Sequence, residues 1–291
     1  MNAGPASPTD RNRAATKLDE DFWAILRRAG AAPDESLDLL DTALALAALE
    51  RRTRLGWYRS HAARLVDEIA EAAREVGRGV DGPAEAMRAV LFDRYGYHGD
   101  QVTYEDLQNA NMMRVIDRRK GLPVALGILY IHLARAQGWA CAGLNFPGHF
   151  LVRLDRDGER AIVDPFDGGQ RRDPADMRGL LKTFLGHDAE LTPEHYAPVG
   201  NRAVLLRLQN NLKSRHAAEG RFEDAMKVLD TMLALAPREA HLWREAGLMR
   251  ARLGEYGAAI EALDRFIAHA QGDRVRHEAA TLVQQLRARL N

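Results

Sequence analysis

His149 and Asp164 are the pair best placed to do chemistry in this chain. Between them lies Asp157-Gly158, a strong signal for a two-residue β-hairpin loop. With that loop, His149 to Leu154 and Arg160 to Asp164 are paired strands, and Arg156 lies opposite Glu159. Phe150, Val152 and Leu154 then share one apolar face with Ala161, Val163 and Pro165. His149, Leu151 and Arg153 share the other face with Ile162, Asp164 and Phe166. His149 and Asp164 become diagonal neighbours, roughly 7–8 Å apart at the backbone. A one-residue slip would separate them onto opposite faces. An imidazole oriented by a carboxylate is the acid–base half of a Cys-His-Asp site.

The other half of such a site is a thiol at a helix N-terminus, where the helix dipole and the histidine favour thiolate. The sequence predicts that helix just upstream. Pro123 suits a first helical turn. Leu126, Leu129, Tyr130, Leu133 and Ala134 follow at spacings of three and four, and Ile128 widens the face, as in a well-buried helix. Arg135 suits the last turn and Gly138 the stop. The start reads Pro123-Val124-Ala125, and no Cys, Ser or Thr occurs from Val115 to Trp139. The pair has no nucleophile. Cys141, the only cysteine, follows the helix C-terminus, where the dipole raises a thiol pKa. It reads as a buried structural thiol on a short strand from Cys141 to Asn145. His149 itself is either a packed, hydrogen-bonded core histidine or part of a residual binding site.

The stretch from Arg114 to Asp164 resembles the transglutaminase-like core, a papain-related α+β fold. More closely it resembles the SirB-type invasion-regulator family of bacteria. The resemblance rests on Arg119-Lys120-Gly121-Leu122-Pro123, the Leu129-Tyr130 pair, Arg135, Gly138, and the string from Asn145 to Arg153. It extends from about Phe22 onward. Counting back from Gly138, the family's cysteine position falls on or next to Pro123. His149 and Asp164 match the expected histidine and aspartate. Among the residues carrying the resemblance, Arg119, Tyr130, Asn145, Pro147 and Gly148 are candidates for binding. Tyr104-Glu105-Asp106 and Asn109 fit the pattern that precedes the helix, but loop anchoring by local hydrogen bonds is the favoured reading for them.

The elements that must position these residues follow from composition and pattern. The chain has 291 residues, with Lys+Arg and Asp+Glu balanced at 41 each. That balance argues against a globally basic nucleic-acid binder, and Arg118-Arg119-Lys120 reads as a solvated run. One cysteine excludes an intramolecular disulfide and fits a reducing compartment. Met1 to Lys17 is polar, lacks an apolar signal core, and is expected to be a disordered tail. No apolar run reaches about eighteen residues. Cytoplasmic location, without a membrane span, is the expectation.

From Leu18 the pattern is helical: a short helix from Phe22 stopped near Gly30, a buried one over Leu37–Leu49, and a longer one over Leu55–Val76. Gly77-Arg78-Gly79-Val80-Asp81-Gly82 matches GxGxxG, but a dinucleotide site needs a strand before it, and the segment before it is helical. Ala84–Tyr95 reads as a helix, Tyr95–Tyr104 as a loop, and Asp173–Leu185 as a helix. Thr192-Pro193 and Ala197-Pro198 mark the expected boundary between a core over residues 18–198 and repeats over residues 199–291.

Gly220-Arg221-Phe222 and Ala225 recur 34 residues on, as Gly254-Glu255-Tyr256 and Ala259, the tetratricopeptide period. Leu229 maps to Leu263 and Leu233 to Ile267. Trp243 and Gly247 fit a repeat's first helix, and Trp243 is a further candidate for binding. Asp273 opens a last, capping helix. Two repeats bury little alone, so the array is expected to lean on the core and to present a groove for a protein or peptide. Ten histidines invite a metal reading, but His277-Glu278 lacks the second histidine of HExxH and the others lack ligand spacing. No metal and no cofactor are expected. The expectation is an α+β, helix-rich core with a small antiparallel sheet, followed by an all-α repeat domain. Its role is that of a non-catalytic regulator or scaffold. The competing reading is an amide-bond hydrolase or acyltransferase that uses His149, Asp164 and an unrecognised nucleophile.

Overall fold

The computed structural model describes residues 22–51, 53–74, 77 and 79–290; the tail expected over Met1 to Lys17 lies outside them. The described residues form two compact units. One holds residues 22–25 and 33–208, the other residues 26–32 and 209–290.

The first unit is built on helices α2 (Leu39–Arg51), α3 (Gly56–Ala72), α4 (Asp81–Met87), α5 (Met112–Arg118), α6 (Pro123–Ala136) and α7 (Pro174–Leu185); α1 spans residues 22–31. Both α2 and α6 are buried on more than one face, as apolar residues at all helical phases require. Pro123 is the first residue of α6 after Leu122 at the N-cap. At the other end Gly138 has φ +77°. Its N–H donates to Arg135, and the Trp139 N–H donates to Ala134, which closes the helix in a Schellman motif.

The sheet has strands β3 (Ala140–Leu144), β4 (Val152–Arg156), β5 (Glu159–Asp164), β6 (Gln170–Arg171) and β7 (Pro198–Val199) in the order β6-β5-β4-β3-β7, antiparallel throughout. Asp157 and Gly158 both have positive φ, the signature of the type I′ turn. They set Arg156 opposite Glu159 and Arg153 opposite Ile162, the register expected from the sequence. Strand β4 starts only at Val152, so His149 stands in the approach to it.

Helix α6 covers one face of the sheet. A Cβ on Gly127 of α6 would lie 2.3 Å from the Phe150 ring, and one on Gly143 of β3 would lie 2.4 Å from it. The two glycines make the slot that this ring fills. On the other face Leu144, Phe146, Leu151 and Ile162 pack against Met177 and Leu181 of α7.

Two local readings are corrected. The loop over Tyr95–Tyr104 contains β1 (His98–Gly99), which pairs in parallel with β2 (Lys120–Gly121). Helix α5 was not evident in the sequence; at seven residues it is too short to show periodicity. Helix α1 ends at residue 31, near Gly30 as expected. A Cβ on Gly30 would lie 2.0 Å from the Ala234 carbonyl oxygen, so Gly30 also permits a close helix crossing. The glycine-rich segment from Gly77 follows helix α3 and leads into α4. Its Val80 N–H donates to the Glu159 carboxylate at 2.9 Å.

In the second unit, helices α9 (Phe222–Leu235), α10 (Ala240–Arg252), α11 (Tyr256–His269) and α12 (Asp273–Leu290) follow the end of α8 (Asn201–Ala218). The repeat is visible in the backbone. Gly220 and Gly254 have φ +75° and +79°. Around them Arg221 N–H donates to His216 and Glu255 N–H to Arg250, the same motif one period apart. Helix α12 covers Ala259, Ile260 and Leu263 with Val283 and Leu286. No helix among the described residues is long and apolar enough to cross a membrane.

Candidate functional site

The strand register brings His149 and Asp164 together. His149 Nε2 lies 2.9 Å from both carboxylate oxygens of Asp164. Both side chains are buried, Asp164 almost completely. The carboxylate also accepts the Phe166 and Asp167 N–H groups at 3.1 and 3.3 Å and Arg172 Nη2 at 2.9 Å. Burial alone would raise the Asp164 pKa. The hydrogen bonds and positive charge from His149 and Arg172 outweigh that and hold it below the usual carboxylate value.

Two aromatic rings frame the imidazole. Phe184 of α7 stacks on it with centroids 6.2 Å apart, and Phe166 meets it edge-on at 5.9 Å. The loop that carries His149 is held from behind by Arg207 of α8. Its guanidinium donates to the Phe146 carbonyl at 3.1 and 3.2 Å and to the His149 carbonyl at 2.6 Å, and lies over the Phe150 ring. Burial lowers the Arg207 pKa from its ordinary value. Gly148 turns the loop at φ +70°, and a Cβ there would lie 2.3 Å from Phe184. Only Nε2 of His149 is hydrogen-bonded among the described residues, leaving Nδ1 without a partner there.

At the first turn of α6, Leu122, Pro123, Val124 and Ala125 are all buried and carry no nucleophilic atom. Cys141 is buried on β3, where burial pushes its thiol up to about 12. Neither the first turn of α6 nor the buried Cys141 offers an exposed nucleophilic atom.

The remaining candidates divide. Pro147 and Gly148 belong to the His149 loop; Asn145 is exposed at its start, with its N–H bonded to the Ala197 carbonyl. Tyr130 is fully buried beside Phe92 and offers no surface to a ligand. Arg119 is stacked on Tyr95 and Tyr97, 5.1 and 5.0 Å from their ring centres, and bonded to the Tyr95 carbonyl. Trp243, in the second unit, donates to the Pro237 carbonyl at 2.8 Å with Arg265 over its ring. Asp106 and Asn109 are taken up by their own loop, through Gln108 N–H and the Thr103 carbonyl. Arg135 ties β3 to α8 by bonds to the Cys141 carbonyl and Asn201 Oδ1, both 2.8 Å. Sequence reasoning missed Arg172, Arg207 and Phe184. Phe166 was placed on the His149 face by the hairpin register alone. Among the described residues no group of three His, Cys, Asp or Glu is arranged to hold a metal ion.

Residues 57–210 match the transglutaminase-like superfamily model, and residues 212–289 match a tetratricopeptide-repeat model. The UPF0162 protein of Xylella fastidiosa (strain Temecula1) is 32% identical over 247 residues, covering 80% of this chain and 84% of its own. That of Vibrio cholerae is 32% identical over 244 residues, covering 82% and 88%. The human F-box only protein 21 is 32% identical over 178 residues, 58% of this chain but 27% of that one. With a matching model over more than half of its length and relatives aligned over at least four fifths of both chains, the chain belongs to the transglutaminase-like superfamily, among the UPF0162 proteins.

Proposed function

We propose that this protein is a non-catalytic regulator or scaffold of the cytoplasm, of the SirB-type kind. Its transglutaminase-like core and tetratricopeptide repeats bind protein or peptide partners. One observation carries the reading: the helix start that should present a nucleophile to His149 is a buried, apolar turn at Pro123. The high pKa and burial of Cys141 support it from the other side. Tetratricopeptide repeats generally mediate protein–protein interaction, which supports the partner class.

A second reading is favoured by the unoccupied Nδ1 of His149. In it, the His149–Asp164 pair acts as a base for amide-bond hydrolysis or acyl transfer with a nucleophile not yet identified. Assays of amide hydrolysis and amine incorporation on the intact chain, on Cys141→Ser and on His149→Ala separate the two. The proposal expects no turnover in any form. Turnover in the intact chain that disappears in a folded His149→Ala or Cys141→Ser variant sinks it.

A further inference from the structure

A cleft of about 1230 Å³ in the first unit opens beside the His149–Asp164 pair but does not include it. Five arginines line it: Arg153, Arg160, Arg171, Arg172 and Arg178. The lining acids are Asp173 and Asp176, and both are turned to the first turn of α7. Asp173 accepts the Ala175 and Asp176 N–H groups at 2.7 and 2.8 Å, and Asp176 accepts the Asp173 N–H at 3.1 Å.

The carboxylates that pair with the arginines do not line the cleft. Arg153 and Arg160 share one, Asp155, at 2.7 and 3.0 Å. Arg160 is exposed and uses only Nε there, so its two terminal nitrogens have no partner among the described residues. Arg178 is exposed on α7 and has no ion-pair partner among the described residues. Arg171 pairs with Asp81 in an exposed contact. Two open guanidinium forks thus face a cleft whose remaining charges are already satisfied. A planar fork with free N–H groups suits a carboxylate bidentately.

The shape indicates what the carboxylates are attached to. The lining runs from edge strand β6 at Arg171, across β5 and β4, to the opposite edge strand β7 at Pro198. Four inter-strand steps of about 4.8 Å make roughly 19 Å, the span of about six extended residues. Leu191 and Tyr196, both half-buried, also line the cleft, apolar contacts for a chain and not for a small anion. We propose that this cleft binds an extended, carboxylate-rich peptide segment of a partner protein, gripped by Arg160 and Arg178. This rests on the binding role proposed above and names the chemistry of the core's partner.

The test titrates fluorescein-labelled hexaglutamate with the full chain at low ionic strength and follows anisotropy. Hexalysine and a single-stranded DNA oligonucleotide of equal charge run beside it. The expected result is saturable binding of hexaglutamate, none of hexalysine, and weakening with added salt. The double variant Arg160→Glu with Arg178→Glu should weaken binding by at least about tenfold without changing the circular dichroism, since both residues are exposed. Hexaglutamate that fails to bind, or that binds the double variant equally, overturns the proposal. DNA that binds more tightly than the peptide and is lost with the same variant also overturns it. Should the double variant not fold, a benzophenone-bearing hexaglutamate is cross-linked to the unmodified chain. Labelling of Leu191 or Tyr196 supports the cleft, and labelling confined to other residues removes it. The proposals fail separately: turnover that depends on His149 or Cys141 ends the non-catalytic reading alone, and absence of peptide binding ends the cleft alone.

Discussion

Arg207 grips His149 by its backbone, with Nη2 2.6 Å from the His149 carbonyl oxygen. The imidazole is therefore held at both ends of its residue, by Asp164 at Nε2 and by Arg207 at the main chain. The same guanidinium takes the Phe146 carbonyl, so one side chain closes the whole turn.

Arg207→Met should keep most of the apolar contact with Phe150 and lose the fork. Leaving two carbonyls without their donor costs about 1–3 kcal/mol. The thermal midpoint should fall by about 2–4 °C for each kcal/mol lost. Arg207→Lys should recover only part of this, because an ammonium cannot bridge two carbonyls in a plane. A lysine variant as stable as the original would show that charge and not the fork is what matters.

The slot for Phe150 gives a second prediction. Gly127→Ala places a methyl 2.3 Å from that ring, and overpacking of this kind costs about 1–3 kcal/mol. Adding Phe150→Leu should return part of the loss, a coupling readable in a double-mutant cycle of urea midpoints. Strictly additive effects would mean that the two residues do not meet.

Acid sensitivity has two separable sources. Burial first, then the positive charge of Arg119 and Arg64, lowers His61 from 6.5 to about 4, and its Nε2 lies 2.9 Å from the Tyr97 hydroxyl. Its folded pKa is below its unfolded one, so the stability it contributes is complete above pH 6.5 and is lost as pH falls toward 4. Asp164, also depressed, contributes stability that is present above its unfolded pKa and lost as pH falls through its lower folded value. Thermal midpoints measured against pH should show both slopes. His61→Gln should flatten the upper window and leave the lower one. Asp164→Asn should flatten the lower window and lower the midpoint at neutral pH.

Cys141, with its thiol pushed up to about 12 and no exposed path, should resist a disulfide reagent in the folded chain. It should react fully once urea unfolds the protein. Stoichiometric labelling of the native protein within minutes would contradict its burial.

The hairpin register, and with it the meeting of His149 and Asp164, was legible because Asp157-Gly158 dictates a turn type and the turn dictates the pairing. The empty nucleophile position was legible because α6 is long and punctuated by Pro123 and Gly138. Arg172 was hidden because it reaches Asp164 from the end of a two-residue strand, too short for any pattern. Arg207 was hidden because it sits 58 residues from the carbonyl it holds, and long-range bonds to main-chain atoms leave no trace in side-chain spacing. Gly30 marked the end of α1 to within a residue, but only the approach of Ala234 reveals its second use.

That approach has a consequence for the order in which the protein is made. Residues 26–32 belong to the same compact unit as residues 209–290, and Leu26 among them is completely buried. On the ribosome these first residues emerge long before the helices that shelter them. The second unit cannot close until residues 209–290 have also been made, whereas most of the first can fold as it appears. A fragment beginning at Val199 would be born without Leu26–Ala32, and the Ala234 carbonyl region would face water where the nascent chain places Gly30.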